Sequence, residues 1–161
     1  MRNRKNKGFT LLELLVVVAI IGILSAILLV TFSGPREKSR DAKRVSDIKQ
    51  MKNALELYFA DYGEYPISIA DLVSEYLPDT PKDPYGDDYL YYPYISSTPS
   101  LLGKCVILSQ VCIYYQLGTN LETKNHGSLK ADSDIGLGHM SGDDLDGCSG
   151  ETDRYCYDIT P

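Results

Sequence analysis

Glu13 is the one charged side chain in the apolar run 9–32. A run of this length matches the ~20 residues that a helix needs to cross a bilayer core. Burying an ionised acid there costs roughly 2.5–3.5 kcal/mol on insertion scales, so an intramembrane carboxylate calls for a cationic partner. Ahead of the run stand Arg2, Arg4, Lys5 and Lys7, followed by Gly8 and Phe9. This bias of Lys and Arg holds the N-terminal end in the cytoplasm and sends the C-terminal part outward. A secretory signal would carry a shorter apolar core, with its small-residue cleavage site after that core. Here the small residue, Gly8, precedes it. A cut at this point would remove only the charged leader and keep the hydrophobic helix.

Four cysteines form the next chemical set: Cys105, Cys112, Cys148 and Cys156. All fall in the part expected outside the cytoplasm, where an even number in a small domain reads as disulfides. Their spacings are too wide for the usual paired-cysteine zinc ligands. Four cysteines allow three connectivities, and the spacing does not choose among them. In the tail, Asp132, Asp134, Asp143, Asp144, Asp146 and Asp153 offer the oxygen donors that calcium takes, but without the ligand spacing of an EF-hand. A solvated acidic loop is the expectation there, with calcium as the alternative.

No nucleophile elbow, phosphate-cradling glycine loop or HExxH pair occurs, and His126 and His139 sit in polar, glycine-containing stretches. The chain does not read as an enzyme. Its formal charge is −6, falling to −10 if the four basic leader residues are lost. From residue 57 onward there are five basic and seventeen acidic residues. Phosphate neutralisation, the main source of nucleic-acid affinity, is therefore not expected of this surface. Residues 36–52 are different, with seven basic residues against three acidic ones. That stretch is expected to be a solvated helix face with local pairs, or to meet lipid headgroups or acids of a neighbouring subunit.

These groups need a scaffold. Val45, Ile48, Met51, Leu55, Tyr58 or Phe59, and Tyr62 recur at three- and four-residue steps, the stripe of an amphipathic helix. Gly34-Pro35 predicts a kink or local unwinding ahead of it, and Tyr62-Gly63-Glu64-Tyr65-Pro66 predicts its end. A short helix is expected over 68–76, and strands over 89–95, 105–108, 111–117 and 155–159. Together these give an α+β chain, with a long N-terminal helical spine packed on a small antiparallel sheet. Its expected segments are a leader at 1–8, an apolar helix at 9–32, an amphipathic half of the spine at 33–62 and a globular head at 63–161. The thirteen tyrosines fit core and subunit-interface packing better than ligand stacking.

Gly8-Phe9-Thr10-Leu11-Leu12-Glu13-Leu14, with the apolar residues after it, resembles the prepilin motif of type IV pilins and type II secretion pseudopilins. The resemblance implies cleavage by a prepilin peptidase between Gly8 and Phe9 and N-methylation of Phe9. It also supplies a partner for Glu13, the positively charged N-terminus of a neighbouring subunit. Two head features resemble the major pseudopilin. One is the junction Ala54-Leu55-Glu56-Leu57-Tyr58 with Tyr62-Gly63-Glu64-Tyr65-Pro66. The other is the loop Pro81-Lys82-Asp83-Pro84-Tyr85-Gly86, in which Tyr85 stands where that family usually has tryptophan. Major pseudopilins often bind calcium in their acidic loop.

The implied protein is a homo-oligomeric filament subunit. It would sit in the bacterial inner membrane as a single-pass protein before an assembly platform extracts it, with other pilins or pseudopilins, into a periplasmic pseudopilus or surface pilus. A type IV pilin for adhesion, motility or DNA uptake is the neighbouring alternative. A membrane-tethered binding module is the alternative of another kind.

Overall fold

The computed structural model describes residues 9–31, 33–95, 103–105, 110–133, 147–150, 152 and 154–161. The chain divides into two compact units, 1–36 and 37–161. In the first, α1 (Leu11–Thr31) carries apolar residues on every side, and Leu11, Val18, Ile20 and Leu24 are among many that stand exposed. It has no single stripe to bury, a pattern that belongs in lipid or inside a bundle of helices. Side chains of α1 are described through Ala26, and among the described residues no helix is long and apolar enough to cross a membrane.

Helical backbone continues through Gly34 and Pro35 at the start of α2 (Ser33–Tyr62). Of the kink or local unwinding expected at this pair, the unwinding does not occur. Pro35 lies in the first turn of α2, where the missing N–H costs little because such amides have no intrahelical acceptor.

In the second unit, α2 packs against a three-stranded antiparallel sheet in the order β1 (Leu90–Tyr94), β2 (Tyr114–Leu121), β3 (Tyr155–Ile159). The helix buries Val45, Ile48, Met51, Ala54 and Leu55. Tyr115, Leu117 and Leu121 of β2 and Tyr157 and Ile159 of β3 share that core. The alternate residues face the other way. Leu90 and Tyr92 of β1 pack there on the Cys148 and Cys156 pair, and Gln116 donates to Asp158 at 2.8 Å. The fold is thus the expected α+β arrangement of helix on antiparallel sheet.

Several element boundaries differ from expectation. Tyr62, the last residue of α2 and of the expected stripe, is 56% exposed, with its ring 4.5 Å from that of Tyr58. Gly63, at φ 73°, donates to the Phe59 carbonyl at 2.8 Å, a left-handed C-terminal cap. The helix expected over 68–76 contracts to a 3-10 turn, Ile69–Leu72, capped reciprocally by Ser68 and Asp71. Strand β2 starts three residues later than the sequence suggested and runs on through Gly118-Thr119-Asn120. These are poor strand formers by composition, but here they pair with β1 on one side and β3 on the other, and tertiary context overrides propensity. Ahead of β2, Ile113 donates to Tyr94 and Cys112 accepts from Tyr65, so the chain is extended there without forming a ladder. Of the strand expected over 105–108, Cys105 donates to the Pro93 carbonyl at 2.9 Å, and 106–109 lie outside the described residues. Pro93 is tolerated because β1 is an edge strand.

Candidate assembly site

At the start of α1, Thr10 and Glu13 cap each other. The Thr10 amide and hydroxyl donate to Glu13 Oε2 at 2.9 and 2.8 Å, and the Glu13 amide donates back to Thr10 Oγ1 at 3.2 Å. This reciprocal box satisfies orphan donors of the first helical turn. Its sequence signal is a threonine three residues before a glutamate at the head of an apolar run. The carboxylate held in this way is exposed, as is Phe9. Gly8 lies outside the described residues. What the first unit presents is thus an apolar helix with one carboxylate fixed at its N-terminal turn.

The basic stretch at 36–52 does something the sequence reading missed. Arg44 is buried, donating to Asp41 at 2.8 Å and Glu122 at 2.7 Å, with a further ion pair to Asp83. Arg40 adds two hydrogen bonds to Glu122 from Nε and Nη2, and Arg154 approaches the same carboxylate at 3.7 Å. Asp41 also accepts the backbone amides of Glu122 and Thr123 at 3.0 and 2.9 Å. Three arginines therefore meet three acids, and the cluster ties α2 to the exit of β2 and to the 81–86 loop. Lys43 keeps a local i,i+4 pair with Asp47, and Lys52 reaches the Thr160 carbonyl. Of the expected solvated face only part remains.

The arginines' hydrogen bonds, Arg40's first, hold the Glu122 carboxyl down to about 2, against the opposing effect of its own burial. Burial also works against the Arg44 charge, but the bonds to Asp83, Glu122 and Asp41 prevail and raise its pKa. The sequence did contain a signal. Stepping back from Ile48 by four and then three residues along the apolar stripe lands on Arg44 and then Asp41, so both charges face the core. The 81–86 loop is pinned by Asp83, whose Oδ1 accepts the Tyr85 amide at 2.7 Å. Both guanidinium carbons, of Arg40 and Arg44, lie over the Tyr85 ring at 5.4 and 5.6 Å. An aromatic residue at this position serves as a cation–π platform.

The cysteines pair as Cys105–Cys112 and Cys148–Cys156, which selects one of three possible connectivities. The first bond staples the β1–β2 connection, and the second fastens the segment before β3 onto the sheet, where Asn120 Oδ1 accepts the Cys148 amide at 2.6 Å. Of the six tail aspartates only Asp132 is among the described residues; Asp134, Asp143, Asp144, Asp146 and Asp153 lie outside them. No metal-holding cluster occurs among the described residues. His126 is the N-cap of the turn Gly127–Lys130, its Nδ1 accepting the Ser128 amide at 3.3 Å, and His139 lies outside the described residues.

Residues 3–29 match the family model of the prokaryotic N-terminal methylation motif. The chain is 38% identical over 104 residues to the type II secretion system core protein G of Vibrio cholerae serotype O1, covering 55% of this chain and 71% of that protein. It is 34% identical over 126 residues to the core protein G of Aeromonas hydrophila, covering 68% and 85% respectively. The Escherichia coli K12 core protein G is 36% identical over 103 residues, covering 53% and 71%. No solved structure matches significantly. With the methylation motif at its N-terminus and this likeness running on into the head, the chain belongs to the family of type II secretion system core protein G, the major pseudopilins.

Proposed function

We propose that this protein is a structural subunit of a type II secretion pseudopilus, stored in the inner membrane and assembled with copies of itself into an extracytoplasmic fibre. The continuity of the family likeness from the methylation motif into the globular head carries this reading. It gives the protein a mechanical role and no catalytic one. A prepilin peptidase removes 1–8 and methylates Phe9, leaving Glu13 as the fifth residue of the processed chain. The apolar run 9–32, with its single acid, serves first in lipid and then in the fibre core. Glu13, held in the first turn by Thr10, faces the amino group of an adjoining copy. Such a pair in apolar surroundings fixes register and polarity more than it adds stability, because desolvation offsets much of the attraction.

Two measurements test this. Mass spectrometry of the native protein is expected to find a chain starting at methylated Phe9; an intact leader would favour a tethered membrane module. Deleting the gene is expected to stop export of secreted proteins, with recovery on complementation by the unaltered chain but not by Glu13→Ala. A deletion that spares export and instead abolishes long surface fibres would assign the chain to a type IV pilus.

A further inference from the structure

Residues 53–81 contain six acidic residues and no lysine or arginine. Asp61, Glu64, Asp71 and Glu75 gather around the rings of Tyr58, Tyr62 and Tyr76. Tyr58 lies 4.5 Å from Tyr62, centroid to centroid, and 5.7 Å from Tyr76 in an edge-on arrangement. The Tyr76 hydroxyl donates to Asp61 at 2.7 Å, and Asp71 caps the Ser68 amide at 3.1 Å. Glu64 and Asp71 line one cleft with Tyr58, and burial first, then the fields of Asp71, Glu64 and Glu75, push the Tyr58 phenol upward. A cleft of about 290 Å³ opens here, lined by Tyr58, Glu64, Asp71 and Ile67. Among the described residues none of the four carboxylates has a cationic partner.

Aromatic faces rimmed by carboxylates attract an ammonium group twice over, through the ring quadrupole and through charge. The chain carries suitable cations on the solvent face of α2. Lys38 and Lys49 are exposed and make no ion pair among the described residues, whereas Lys43 is engaged with Asp47. Lys49 precedes Tyr58 by nine residues, about 13 Å of helix rise and half a turn of rotation. It therefore points away from the cleft of its own copy. We infer that the Tyr58–Glu64–Asp71 cleft receives a lysine from the α2 face of a second copy of this chain, so that the acidic end of one head docks on the basic face of the next. This inference rests on the filament reading and names its head-to-head contact.

The test uses the full chain co-produced with its assembly system and measures the fraction of subunit in sedimentable fibres. Glu64 and Glu75 are chosen because neither caps an element. Both Glu64→Lys/Glu75→Lys and Lys38→Glu/Lys49→Glu are expected to lower that fraction about fivefold, and the combined chain to regain about half of the loss. Should the lysine-bearing variant become protease-sensitive, Glu64→Gln/Glu75→Gln replaces it, with an expected loss of about two- to threefold. Reversals that assemble like the unaltered chain would overturn the inference, as would a combined chain no better than either parent. Normal fibres with failed export would also overturn it, since the cation would then belong to the cargo. If the unaltered chain forms no fibres, the filament reading falls first and the inference with it.

Discussion

Arg44 on α2 and Glu122 at the end of β2 are 78 residues apart in sequence, and their side chains meet at 2.7 Å with Arg44 only 2% exposed. The head of this pseudopilin is therefore closed by a charged bolt as well as by its apolar core. Burying a guanidinium is costly unless every donor finds an acceptor. Here Asp83 takes the Nε donor and Asp41 and Glu122 share Nη1, and Arg40 and Arg154 balance the acids.

Replacing Glu122 by Gln strips the acid from between Arg40 and Arg44 while keeping the shape. Breaking a buried pair on one side costs about 3–5 kcal/mol, and the half-exposed Arg40 places this case near the low end, at about 3 kcal/mol. Urea unfolding of the detergent-solubilised protein measures it. A change within about 0.5 kcal/mol, typical of a surface substitution, would mean that the cluster does not hold the fold together.

The same carboxylate makes stability depend on acid. Its folded value, about 2, lies below the ordinary 4.5, so the stabilisation is present above pH 4.5 and is lost as pH falls from there toward 2. Unfolding midpoints measured across this window should decline for the unaltered chain. The slope should be shallower for Glu122→Gln. Equal slopes would place the acid sensitivity in other carboxylates.

Where periodicity alone decides, the sequence was a good guide. Val45, Ile48, Met51 and Leu55 form the buried stripe they spell, and 155–159 is a strand because its alternation has a core on one side and Leu90 and Tyr92 on the other. The sequence misled where long-range partners decide. The expected strand stops at Leu117, but pairing with the neighbouring strands on both sides carries it through Gly118 and Asn120 to Leu121. Arg44 read as a surface charge because two of its three acids, Asp83 and Glu122, are 39 and 78 residues away in the chain. The Thr10–Glu13 box was within reach of local reasoning, since both partners lie within one turn.

The two disulfides close short loops, with sequence separations of 7 and 8. Chain-entropy arguments give about 2–3 kcal/mol for loops of this size. All four cysteines are buried, but loss of Cys148–Cys156 is expected to be felt more strongly, since Cys156 lies within strand β3 whereas Cys105 and Cys112 lie in the connection between β1 and β2. Peptide mapping should recover the 105–112 and 148–156 links. Cys148→Ser/Cys156→Ser should lower the melting temperature more than Cys105→Ser/Cys112→Ser. The reverse order would locate the weaker edge of the head at the β1–β2 connection.

Glu56 gathers two tyrosines onto α2, accepting the Tyr65 hydroxyl at 3.2 Å and the Tyr115 hydroxyl at 3.0 Å. Burial, reinforced by this carboxylate, raises both phenols well above their usual value, and burial pushes Tyr94 up to about 12. A phenol whose folded value is raised stabilises the fold fully below the unfolded value of about 10, and that contribution disappears as pH rises beyond it. The head should therefore lose stability progressively above about pH 10, and these tyrosines should ionise only as the protein unfolds. Tyrosinate absorbance followed during alkaline titration, beside the same titration in urea, tests this. If all thirteen tyrosines titrate alike in both, the helix–sheet contact around Glu56 is open to solvent and the clamp is not closed.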